Sequence, residues 1–380
     1  MPGVLYAKSA LLVGVCASLL SCGGARATGV AEAAEAPTET AGDAWVAVTD
    51  APDTLELSDT LKLSRHPLGR VLRADWEPPG VLLVAYQPEL EEALAELVAA
   101  ASHETDVFVL ASPEQLKDRR FSGRIGALAA RAIAVKHDTP WIRDYGPLEV
   151  ISEKDGRIWV DLSYYEERPL DDALPVQLSR LVDVQLESYV LEAEGGGVAS
   201  NGAGVCAMTT SSFDKAVAYE PTAGRTEGLL WVLGCQSLAV VASVTGEETG
   251  HIDVFAQFLA QDLVAVAQMD PEYNSVVAAQ LDAAAEAIVT AAEALEQSMR
   301  VVRVPMHTLG PRFYTYVNGT RVGKRFLVPH YRTVGASLEL TAYRRLQLAL
   351  PGVKLVPVRA DPMVEQGGAV HCLTLGLGAS

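Results

Sequence analysis

From Trp45 onward, short apolar runs alternate with amphipathic stretches, and the two periodicities separate strands from helices. Gly80-Val81-Leu82-Leu83-Val84-Ala85-Tyr86 is almost unbroken apolar sequence, the pattern of a buried strand, and Pro88 stops it. Over residues 89–101 the apolar positions 90, 94, 97 and 98 fall at helical spacing. Residues 106–110 and 131–135 predict further strands, and 158–162, following the turn Lys154-Asp155-Gly156-Arg157, predicts a hairpin. Three more runs of strand type lie at 229–233, 238–244 and 263–267. Residues 274–299 predict a long alanine-rich helix, with Val277, Leu281, Ile288, Ala292, Leu295 and Met299 along one stripe. Late strands are expected at 325–329, 353–358 and 370–375. Many short strands interleaved with few helices define an α/β or α+β body, and no linker interrupts 45–380, which reads as one domain.

The first 44 residues have a different character. Lys8 is the only charge before an apolar run at 10–20, which is too short to cross a bilayer comfortably. Leu19-Leu20-Ser21-Cys22-Gly23-Gly24 resembles a bacterial lipoprotein signal, which implies a leader over 1–21 and lipidation at Cys22. An ordinary cleaved signal peptide is the alternative, and either one takes the protein out of the cytoplasm. Residues 22–44 hold almost no large apolar side chains and read as a disordered tether. Contact with a membrane is then expected only through the anchor at Cys22. Its neighbours Gly23 and Gly24 carry no inner-membrane retention aspartate, favouring an outer-membrane destination over the periplasmic face or free secretion.

Charge and cysteine usage narrow the class. The 380 residues carry a formal net charge of -18 and no run of lysine or arginine, which argues against a nucleic-acid partner. An acidic body attracts cationic small molecules or basic peptides at long range. Of five cysteines, Cys16 and Cys22 belong to the leader, leaving Cys206, Cys235 and Cys372. Outside the cytoplasm thiols tend to pair. A bridge between Cys206 and Cys235 would leave Cys372 unpaired, although the first two are equally compatible with buried free thiols.

Five segments carry candidate chemistry. Glu365-Gln366-Gly367-Gly368-Ala369-Val370-His371-Cys372 places a thiol after a small-residue run, so little side-chain bulk stands between it and a substrate. Trp141-Ile142-Arg143-Asp144-Tyr145-Gly146-Pro147, bracketed by Pro140 and Pro147, is expected to be extended or turning. Its tryptophan can stack on a planar cation. In Gly250-His251-Ile252-Asp253, an extended backbone would point His251 and Asp253 to one side. Alone, a His-x-Asp is most often structural. Glu192, Glu194 and Gly195-Gly196-Gly197, followed by Asn201-Gly202-Ala203-Gly204, form a loop that lacks the Gly-Lys-Ser/Thr ending of a phosphate-binding loop. Asn318, in Arg312-Phe313-Tyr314-Thr315-Tyr316-Val317-Asn318, either contacts a substrate or opens the Asn318-Gly319 turn. A metal site built on His251, Asp253, His371 and Cys372 is disfavoured, because adjacent His371 and Cys372 would face opposite sides of a strand.

In their order along the chain, ending in Gly-Gly-Ala-Val-His-Cys and covering roughly residues 60–378, the clusters resemble the agmatine deiminase and Porphyromonas-type peptidylarginine deiminase family. The resemblance implies a pentein fold, a five-bladed pseudo-symmetric α/β propeller with a central active site. It assigns Cys372 as nucleophile, His251 as general acid/base, Asp144 and Asp253 as the carboxylates gripping a guanidinium, and Trp141, Glu194 and Asn318 as substrate-site residues. The implied reaction converts a guanidinium to a ureido group plus ammonia through a cysteine thiouronium, with no metal or organic cofactor. The extracytoplasmic leader favours peptidyl-arginine, giving peptidyl-citrulline, over agmatine, giving N-carbamoylputrescine. A catalytically silent surface binding module is the reading from another class. One departure stands out: in relatives an asparagine often follows the Gly-Gly pair after Glu194, where this chain has Gly197.

Overall fold

The computed structural model describes residues 61–62, 69–118, 121, 123, 125, 131–218 and 224–378. The leader, Cys22 and the tether lie outside the described residues. Mixed α/β content is borne out, and one local topology recurs in five sheets among the described residues. In four of them an antiparallel pair is followed by a helical connection that returns the chain parallel to the second strand. These trios are Leu148–Ser152, Gly156–Ser163 and Gln185–Glu192; Val198–Ser200, Val205–Thr209 and Ser237–Val241; Ala256–Ala260, Leu263–Gln268 and Arg300–Pro305; and Thr320–Val322, Arg325–His330 and Lys354–Arg359. In the fifth sheet the ends of the chain meet. Leu375–Leu377 pairs antiparallel with Val81–Ala85, which runs parallel to Asp106–Ala111, itself parallel to Ala132–Ala134.

The sequence accounts for this local order. Central strands such as Val205–Thr209 are buried at every position, which suits continuous apolar runs covered on both faces. The helix Ser275–Glu293 buries the stripe Val277, Leu281, Ile288 and Ala292, and the Asn274 side chain caps its start by accepting from the Val277 amide. Each buried leucine or isoleucine of that stripe contributes about 1.5–3 kcal/mol.

Two expected strands are corrected. The run at 229–233 belongs to the helix Gly224–Leu233, where Leu229, Leu230 and Leu233 are buried and Trp231 is exposed. A short apolar run has no period that distinguishes a strand from a half-buried helix. The expected strand at 370–375 is confined to Leu375–Leu377, and residues 370–373 form turns.

Cys206 and Cys235 are bridged, which closes a connection spanning 29 positions between two parallel strands and leaves Cys372 as a free, buried thiol. Closing a loop of that size restricts the unfolded chain, so replacing both cysteines by alanine should cost about 3 kcal/mol. Urea unfolding measures this, and unchanged stability would contradict a native bridge.

Candidate active site

The segment that enters the first strand of each antiparallel pair carries a piece of the site. Trp141 to Pro147 leads into Leu148, Glu194 to Gly197 into Val198, His251 to Phe255 into Ala256, Thr315 to Gly319 into Thr320, and Gly368 to Thr374 into Leu375. Residues hundreds of positions apart are thereby brought within hydrogen-bond reach.

Local backbone directs each side chain. Ile142–Tyr145 is a single helical turn, so consecutive residues diverge. Arg143 pairs with Asp75 at 2.9 Å and donates to the Thr374 carbonyl at 3.2 Å, while Asp144 lies beside His251, with Oδ1 3.5 Å from Nδ1. His251 and Asp253 do not lie on one strand, as the alternation suggested. His251 precedes a 3-10 turn, Ile252–Val254, that contains Asp253. The two still serve one centre from different sides. His251 Nε2 meets Glu194 Oε2 at 3.0 Å, and Asp253 Oδ2 lies 3.7 Å from Cys372 Sγ. Asn318 Nδ2 donates to Cys372 Sγ at 3.3 Å and to the Asp253 carbonyl at 3.1 Å, so Asn318 is a site residue as well as a turn former.

A cavity of about 280 Å³ opens onto Trp141, Asp144, Glu194, His251, Asn318 and Cys372. Asp253 is not part of its wall and is buried against the thiol. Glycine is required where these segments touch. A Cβ at Gly196 would lie 2.6 Å from Asp144 Oδ1 and 2.7 Å from His251 Nδ1. At Gly197 a Cβ would sit 2.7 Å from Ser212 Oγ, so Ser212 fills the space next to that position.

The electrostatics are those of an acidic pocket. Burial, joined by the charges of Glu194 and Asp253, pushes the Asp144 carboxyl up to about 7 despite the pull of His251. Burial opposes charge on His251, but Asp144, Glu194 and Asp253 outweigh it and hold the ring as an imidazolium. Burial would also raise Glu194, yet the His251 bond and Lys215 keep it ionised. Burial and the charges of Asp253 and Asp144 raise the Cys372 thiol well above its usual range. Asp144 Oδ1 and Asp253 Oδ1 are buried with no hydrogen-bond partner among the described residues. Ligand atoms of Asp144, Glu194 and His251 lie within 4.8 Å of one another, but a ring flanked by carboxylates at both nitrogens acts there as a donor, not a lone-pair ligand. The arrangement suits a planar organic cation presented to a thiol.

Residues 77–377 match the family of Porphyromonas-type peptidyl-arginine deiminases. The chain belongs to this family. Its members are hydrolases that act on the carbon–nitrogen bonds of amidines. A Yersinia pestis protein named "Putative agmatine deiminase" is 24% identical, with 80% of this chain and 94% of the relative covered. The solved agmatine deiminase of Enterococcus faecalis superposes with a TM-score of 0.71 at 19% identity, over 81% of this chain and 96% of that one. The C. jejuni agmatine deiminase gives 0.69 at 19% identity, over 82% and 97%. These likenesses place this deiminase in the same mixed α/β fold.

Several polar partners had no signal in the sequence. Tyr165 and Lys215 both donate to Glu194 Oε1, at 2.9 and 3.0 Å, yet each sits in an unremarkable local pattern. Asp75 lies between Arg143 and His371, and His371 itself bonds Asp253 at 2.7 Å. His371 and Cys372 therefore converge on one carboxylate, because the segment turns instead of alternating as a strand would.

Proposed function

We propose that this deiminase hydrolyses an arginine-type guanidinium to a ureido group and ammonia, with Cys372 as nucleophile and His251 as general acid/base. The observation that carries this reading is a free thiol beside two buried carboxylates whose Oδ1 atoms accept no hydrogen bond among the described residues: Asp144, whose Oδ1 has the His251 ring 3.5 Å away, and Asp253, whose Oδ2 is 3.7 Å from the thiol. A guanidinium supplies N–H donors to such oxygens and compensates the carboxylates electrostatically. Its positive charge also favours the thiolate, so as the cation enters, the thiol proton leaves to solvent. The thiolate adds to the guanidinium carbon to form a tetrahedral adduct. The His251 imidazolium protonates one amino group, which departs as ammonia and leaves an S-alkylthiouronium on Cys372. Neutral His251 then takes a proton from water as the water oxygen adds to the same carbon. Collapse breaks the C–S bond, and the hydroxyl proton passes to solvent as the ureido product forms.

For the rest of the substrate, the relatives named for agmatine support that amine, and Glu247 and Glu248 in the cavity wall offer carboxylates to its ammonium. A second reading, the peptidyl-arginine that the leader favours, where that arginine is C-terminal and carries a free carboxylate, is supported by Arg168. This residue lines the same cavity, donates to Tyr164 Oη at 2.9 Å and has no ion-pair partner among the described residues. A colorimetric ureido assay with agmatine, arginine and arginine peptides tests both readings. Preference for agmatine supports the first, preference for arginine or C-terminal arginine peptides the second, and no product from any of them sinks the deiminase assignment.

The same reading includes a five-bladed arrangement of the sheets around the site within a single catalytic domain over 45–380. It also includes an envelope location through a lipidated Cys22. Convergence of five entry segments supports the former, and the leader together with the Cys206–Cys235 bridge supports the latter.

A further inference from the structure

Behind the nucleophile lies a buried charged chain that the reaction as written does not use. His371 is 2% exposed and sits between two carboxylates. Its Nδ1 is 2.7 Å from Asp253 Oδ2, and its Nε2 is 3.3 Å from Asp75 Oδ2. Asp75 Oδ1 in turn pairs with Arg143 Nη1 at 2.9 Å. The backbone amide of His371 donates to Asn318 Oδ1 at 3.1 Å, so the Asn318 side chain touches both the ring's own residue and the thiol. A neutral imidazole has one nitrogen lone pair, and here either choice would turn that lone pair toward a carboxylate oxygen.

We propose that His371 is a positioning residue for deimination: held as a cation between Asp75 and Asp253, it fixes Asp253 by occupying its Oδ2 and leaves Oδ1 for the guanidinium. This proposal rests on the deiminase reading and extends it to a residue that does not touch the substrate. The charged groups acting on the ring are Asp75, with Arg73 near it, Arg143 from the helical turn, and Asp253. Cys372 Sγ lies 3.7 Å from the same Asp253 oxygen that the ring bonds, and the Asp144 charge also acts on that thiol. Burial and Arg143 oppose charge on the ring, and the two carboxylates outweigh them. Without that fixed cation, the buried carboxylates at Asp144, Glu194 and Asp253 would be left with His251 between them and Lys215 on Glu194 alone. The carboxylate cluster as a whole would then take up protons more readily before substrate binds.

His371→Asn tests the charge separately from the hydrogen bond, because the asparagine Nδ2 can still donate to Asp253. The pH profile of kcat/KM should keep its alkaline plateau to within about tenfold, while its acid limb moves upward by about one pH unit or more. The sign follows from protons competing better for a carboxylate that has lost its cation. The change should appear mainly in KM on the acid side. A purely structural His371 would lower the whole profile uniformly, and an unshifted acid limb overturns the proposal. Where this variant does not fold, wild-type protein labelled with ¹⁵N-histidine gives the second readout. Both His371 ring nitrogens should be protonated at about pH 7.5, where a free imidazole is mostly neutral, and a neutral ring refutes the idea. A wild-type enzyme inactive on every guanidinium would instead remove the parent reading, so the two failures are distinguishable.

Discussion

Cys372→Ser should reduce kcat by roughly a thousandfold or more while leaving the fold and the thermal midpoint close to those of the parent. The substitution changes one atom at a buried position, where Asn318 Nδ2 can donate to a hydroxyl as it does to sulfur. The loss is chemical. A guanidinium carbon is a poor electrophile, and the neutral serine hydroxyl cannot be ionised by a bound cation as a thiol can. Because burial, with the charges of Asp253 and Asp144, disfavours the thiolate, the proposed mechanism relies on substrate charge to generate the nucleophile. Serine lies too far from ionisation for that effect to suffice. Substrate should therefore still bind to Cys372→Ser, with an affinity that calorimetry can measure, and turnover should be lost. Residual activity within tenfold of wild type would remove Cys372 from the mechanism.

Asp144→Asn should lower kcat/KM by about a hundredfold or more, which corresponds to about 3 kcal/mol of lost binding in the transition state. Its effect on stability should run the other way. Asp144 is pushed up to about 7, first by burial and then by Glu194 and Asp253. A carboxyl whose folded value exceeds its unfolded value near 3.8 costs the fold stability increasingly as pH rises from that value toward 7, and the cost is complete above 7. The amide removes the cost at pH 8, so the variant should melt at a higher temperature there than the parent, with the difference shrinking as pH falls toward 4. Differential scanning calorimetry at several pH values measures this. A lower melting temperature at pH 8 would show that the Asp144–His251 attraction dominates instead. Opposite signs for activity and stability are expected of a site that gathers like charges to await a cation.

The sequence was most informative where chemistry and glycine cluster together. Trp141 and Asp144, Glu194 with its glycines, His251 and Asp253, Asn318, and Cys372 all come together around one centre, although each occupies a different entry segment. The reason is topological. A residue just before the first strand of a recurring unit is positioned by that unit's sheet, so a motif at that place marks the site even when its local conformation is misjudged. Local conformation was misjudged where periodicity is short. Ile252–Val254 is a single turn, too brief to show any period, where an extended backbone was expected, and the apolar run at 229–233 belongs to a helix. The recurring sheet order was not legible, because its strands share no residue pattern and its first sheet is completed by Leu375–Leu377 from the other end of the chain. Asp75, Tyr165 and Lys215 were equally hidden, since their roles depend on partners more than twenty positions away.

Acid-quenched mass spectrometry of the enzyme during turnover tests the central claim most directly. The peptide carrying Cys372 should gain the mass of the substrate less ammonia, and the adduct should disappear once substrate is exhausted. Turnover with no adduct on that peptide, or an adduct on another residue, would contradict covalent catalysis by Cys372.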